Sequence, residues 1–139
     1  MSDQELGLPD PDAWKTEPLP EISRKDPRLL KNLATLNWET GEIIPAKDLI
    51  EWAMAFEGTD NHVGLDEVSG FTVSTIFMGI NHSFGSHRPQ WFETMVFRQM
   101  DNKRMLGRLI DQWRYATLEE ARAGHKLAVA AVEKGEIGE

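Results

Sequence analysis

The chain contains no cysteine. Disulfides, cysteine-rich zinc sites and thiol nucleophiles are therefore excluded, and a reducing cytoplasm is the expected setting. No apolar run approaches the ~20 residues that a membrane-spanning helix needs. The opening stretch, MSDQELGLPDP, lacks the basic start and apolar centre of a secretory signal. Basic residues are in deficit: 15 Lys and Arg stand against 23 Asp and Glu, a net charge of −8. That balance argues against holding duplex nucleic acid by phosphate neutralisation. A phosphate-binding loop, a dinucleotide glycine fingerprint and a nucleophile elbow are all missing, so no cofactor is implied.

What remains suffices for one domain of 139 residues. Residues 1–35 read as a proline-rich, partly extended arm, broken by Pro9, Pro11, Pro18, Pro20 and Pro27. Within it, Trp14 and Leu29-Leu30 are candidates to dock on a surface. Residues 36–135 read as a single α+β domain. The run NWETGEIIP predicts a tight turn at Thr40-Gly41. A helix is expected from Ala46 to Phe56, with Leu49, Ile50, Ala53 and Phe56 on one face and Trp52 at its edge.

Strands are expected at His62–Val68, Phe71–Ile80, Trp91–Arg98 and within Met105–Tyr115, with a turn at Ser69-Gly70. In the second strand Phe71, Val73, Thr75 and Phe77 fall on one face. The last helix has a capping box, Thr117 with Glu120. Leu118, Ala121, His125, Ala128 and Val132 form its core stripe. Gly124 sits beside the stripe, where close contact with the sheet would account for it. The expected architecture is a small antiparallel sheet of three to four strands. The Ala46–Phe56 and Thr117–Lys134 helices would lie on one face of it. A bare second face would favour a homodimer.

Three blocks carry a family resemblance. They are TVSTIFMGINHSFG from Thr72, PQWFETMVF from Pro89 and RYATLEEARAGH from Arg114. In this order they are similar to "VSTVFLGLDHNFG", "PLLFETMVFGG" and "RYSTWEEALAGH" in a group of small proteins of tailed phages and prophages. Gly41–Pro45 and Trp52-Ala53 resemble that group's first turn and helix, so the likeness spans roughly residues 37 to 133. Asn81 stands where those proteins usually have an acidic residue. The resemblance implies a phage or prophage setting and no particular chemistry.

The candidate functional residues crowd the loop after the second strand and the strands around it. His82, His87 and Glu93 have metal-ligand chemistry, but their spacing fits no motif, and no metal site is assigned. Glu93 interrupts an apolar strand and needs a partner, which Arg114 can supply bidentately. His82, Glu93, Arg114 and His125 together have the parts for acid–base work, or for a structural network tying the last helix to the sheet. Phe84, Arg88, Trp91 and Phe92 have the parts to stack on a base and hold a phosphate. From Arg88 to Arg114, a stretch that includes Arg98, the net charge is +3 in a chain that is otherwise −11. Asn81, His82, Phe84, His87, Arg88, Trp91, Glu93, Arg98, Arg114 and His125 are thus the candidate ligand or partner contacts.

Three functions follow as expectations. The first is a non-enzymatic phage accessory protein that binds a host component, for host takeover or counter-defence. The second is a small-molecule binder that sequesters an anionic nucleotide signal. The third is a hydrolase with a His/Glu site.

Overall fold

A computed structural model describes residues 24–83, 88–100 and 106–137. Its elements in chain order are α1 (Pro27–Leu30), β1 (Ala34–Leu36), β2 (Ile43–Pro45), α2 (Leu49–Glu57), β3 (His62–Val68), β4 (Phe71–Phe77), β5 (Phe92–Gln99), β6 (Leu106–Tyr115) and α3 (Leu118–Glu133). The fold is α+β. Strands β3-β4-β5-β6 form an antiparallel meander, and β1-β2 form a separate antiparallel pair.

Local chemistry sets the boundaries. Ser69 and Gly70 both have positive φ, 51° and 82°. This gives the two-residue turn whose twist suits a hairpin, and Gly70 adopts it without a β-carbon clash. Helix α2 starts three residues later than its apolar pattern suggests. The Asp48 carboxylate caps it by accepting from the Ile50 and Glu51 amides. Burial raises the Asp48 pKa, but those amides and the Arg24 guanidinium outweigh it and hold the carboxyl below its ordinary value.

The inward face of α2 also differs from expectation. Ile50 is exposed, and Trp52 turns inward beside Leu49, Ala53 and Phe56. Trp52 stacks on Phe56 and donates its indole N–H to the Ala34 carbonyl at 2.9 Å. That hydrogen bond decides the rotation, because a buried indole N–H needs an acceptor. Helix α2 consequently packs on β1, whereas α3 alone crosses the four-stranded sheet.

The domain reaches further upstream than the turn at Asn37. Leu30, Leu33 and Ala34 are buried, and Leu33 bridges to Ile80. The core has two clusters under α3. One gathers Ala34, Phe77, Trp91, Phe92, Leu118 and Ala121; the other gathers Val73, Val96, Ala128 and Val132. The buried residues of α3 are the five of the expected stripe, and Thr117 caps the helix by accepting from the Glu120 amide. At Gly124 a β-carbon would overlap the Tyr115 hydroxyl and ring, so glycine lets α3 settle onto β6.

Candidate functional site

Strand alternation sorts the polar groups onto two faces of the sheet. The β4–β5 register pairs Thr75 with Thr94 and Ile76 with Glu93. Successive side chains point to opposite faces, so Thr94 faces α3 and Glu93 faces away from it. Residue Glu93 lies opposite Arg114 on β6, and the Arg114 Nε donates to its Oε2 at 2.9 Å. The Glu93 side chain is 9% exposed and that of Arg114 33%. This is a largely buried ion pair, in which each group makes the other tolerable.

Under α3 lies a hydrogen-bonded chain. His125 Nε2 is 2.6 Å from Asp66 Oδ2, and His125 Nδ1 is 2.7 Å from Thr75 Oγ1. Thr75 Oγ1 then meets Thr94 Oγ1 at 2.5 Å. A carboxylate only accepts, so Nε2 carries a proton. In the neutral ring Nδ1 accepts from Thr75, whose oxygen in turn accepts from Thr94. Gly64 makes room for the ring: a β-carbon there would come within 2.6–2.9 Å of three imidazole atoms. The histidine joins α3 to β3 and β4, and Thr75 carries the chain on to β5.

The expected cluster of His82, Glu93, Arg114 and His125 is therefore divided. Glu93 and Arg114 pair on one face, and His125 binds Asp66 and Thr75 on the other. Asp, His and Thr are the residue types of a nucleophilic relay. Here, however, Thr75 and Thr94 are fully buried. The clefts of about 490, 410 and 190 Å³ elsewhere on the surface are not lined by Thr75, Thr94 or His125. The chain of bonds locks helix to sheet.

The loop residues serve the backbone. Asn81 Oδ1 accepts from the Ser83 and Gln90 amides at 2.9 and 3.0 Å, closing the base of the loop. The backbone N–H of His82 donates to the Gln90 carbonyl. Arg88 reaches both carboxylate oxygens of Glu120 at the start of α3. The guanidinium of Arg88 is the main cause that holds the Glu120 carboxyl below its ordinary value, outweighing burial, which raises it, with help from Thr117. Trp91 and Phe92 belong to the core, so neither offers a stacking face beside Arg88. Arg98 lies over the Phe71 ring, 5.1 Å from its centre. Phe84 and His87 lie outside the described residues. Among the described residues, no group of three or more His, Asp or Glu is placed to hold a metal ion.

Sequence reasoning missed Asp66 and Thr75 as partners of His125, and Thr94 as the partner of Thr75. A signal for them existed: Thr75 and His125 are the polar members of two otherwise apolar faces, and two such groups need each other. Comparison with family models, with curated proteins and with solved structures finds no match to this chain. No helix among the described residues is long and apolar enough to cross a membrane.

Proposed function

We propose that the protein is a phage- or prophage-encoded accessory protein that acts by binding a host protein rather than by catalysis. One observation carries the binding part of this reading, the outer face of the four-stranded sheet. Helix α3 covers the other face, and among the described residues no other helix makes extensive contact with these strands. On the outer face the half-buried Ile76, Met95 and Phe97 adjoin Leu65 and Leu109, which are 57% and 42% exposed. The Glu93–Arg114 pair sits among them. An apolar patch around a desolvated ion pair has the anatomy of a protein-binding surface, with an apolar centre and a polar anchor that fixes register. The phage setting rests on the three sequence blocks alone.

The test is quantitative capture from host lysate. Wild-type protein should retain a stoichiometric host protein, and a Leu65→Glu, Leu109→Glu variant should lose it while keeping its far-UV circular dichroism. Equal capture by both, or no stoichiometric partner for wild type, overturns the reading.

A further inference from the structure

A surface cleft of about 190 Å³ lies where β1, the turn after it and the last turn of α2 meet the end of β4. Phe77 of β4 lines it from below and is only 1% exposed. Trp38 from the turn and Phe56 from α2 line it too, both half-buried and both packed against the core cluster that contains Phe77. Three aromatic rings thus meet at one small opening. Drug-sized sites begin at roughly 300 Å³, so a cleft of this size suits a single head group rather than a whole cofactor.

The polar part of the lining offers oxygen. The Asn61 Nδ2 donates to the Phe56 and Thr59 carbonyls, both at 3.0 Å. Thr59 Oγ1 donates to the Ala55 carbonyl at 2.9 Å. With those protons engaged, the Asn61 and Thr59 side chains keep acceptor lone pairs and no spare donor. The charge nearby is one-sided as well. Residues 35–39 and 55–61, which supply most of the wall, contain Glu39, Glu57 and Asp60 and no Lys or Arg. All three carboxylates are exposed. Glu39 and Glu57 make no ion pair among the described residues, and Asp60 meets only its neighbour His62. The last turn of α2 has no basic residue, so nothing on the helix complements the negative end of its dipole beside the cleft.

We infer that this cleft binds an alkylammonium head group, the small organic cation of a quaternary or methylated amine. Aromatic rings attract a cation through their quadrupole, and aromatic walls can hold one whose methyl groups offer no hydrogen bond. A metal ion is a poor occupant, because rings and one amide oxygen make a poor set of ligands for it. An anion would meet three carboxylates and the negative end of a helix. Phe77 shares the sheet face of Thr75, under α3, and no residue of the cleft belongs to the outer face. The inference therefore stands independently of host-protein binding.

The test compares choline with its uncharged isostere, in which a tert-butyl group replaces the trimethylammonium, in NMR titrations of the isotope-labelled full chain. Choline should shift the Trp38 indole and Asn61 amide signals saturably, with a Kd of about 1 mM for so small a ligand. The isostere has the same shape without the charge and should bind about tenfold more weakly. Ala55→Lys alters an exposed residue of the lining and brings the protein's own ammonium group to the cleft. This variant should lose choline binding while keeping its far-UV circular dichroism. Glu39→Gln with Glu57→Gln should weaken choline about threefold at low salt, and the difference should shrink in ~0.5 M salt. A trimethyllysine peptide that binds more tightly than choline would assign the head group to a protein, and a weaker one would assign it to a free amine. Equal affinity for choline and its isostere, no saturable shift up to ~20 mM choline, or wild-type binding by Ala55→Lys overturns the inference.

Discussion

Gly64→Ala should destabilise the protein, and it should do so only while His125 is present. In a strand the change alone is favourable by about 0.5–1 kcal/mol, because glycine loses more chain entropy on folding. Here the new β-carbon would lie 2.6, 2.7 and 2.9 Å from three atoms of the His125 ring. The ring cannot simply swing away, since it is held at 2.6 Å by Asp66 and at 2.7 Å by Thr75. Displacing it forfeits the bond to Thr75, about 1 kcal/mol, and the bond to the carboxylate, about 1.5–3 kcal/mol. The fully buried Thr75 hydroxyl is left without its acceptor. The net cost is about 2–4 kcal/mol after the glycine term is subtracted. At about 3–5 °C per kcal/mol for a chain of this size, Tm should fall by roughly 6–20 °C. Differential scanning calorimetry on Gly64→Ala, His125→Ala and the double variant gives the coupling energy directly. In the His125→Ala background, Gly64→Ala should be neutral or stabilising. A wild-type Tm in Gly64→Ala, or the same loss in both backgrounds, would refute the locked-ring argument.

Arg114→Ala should cost about 1–3 kcal/mol in urea unfolding, because it strands the largely buried Glu93 carboxylate, whereas Glu93→Leu with Arg114→Leu should be close to neutral; equal losses in the two variants would argue that packing, not charge, dominates there. The Arg88–Glu120 pair predicts a signed pH dependence. Glu120 has a folded pKa below its ordinary 4.5, so its contribution is complete above that value and is lost as pH falls through the lower folded value. Arg88→Ala should flatten this acid limb in Tm measured from pH 6 to 3, and an unchanged slope would remove the pair from the account.

Much of the architecture was legible because it is written in local periodicity. The β3–β4 hairpin, the two later strands, the Thr117 cap and the five-residue stripe of α3 follow from alternation, turn chemistry and helical spacing. Helix α2 was misread at its start and in its rotation. Both errors came from single side-chain bonds, those of Asp48 to the first turn and of the Trp52 indole to Ala34, which outvoted the apolar pattern. The candidate site was harder to see. Arg88 looked available for phosphate until the fold brought Glu120, 32 residues away, to meet it.

By itself, the sequence determined the fold class, the order of elements from α2 onward and which side chains of β4 and α3 had to be buried, since burial is encoded in spacing along each element. It also determined that Glu93 needed a cation and that His125 sat on a core face. Only the tertiary structure decided who met whom. Strand register set Glu93 against Arg114 on one face and Thr94 against Thr75 on the other. Helix docking then joined His125 to Asp66 across 59 residues.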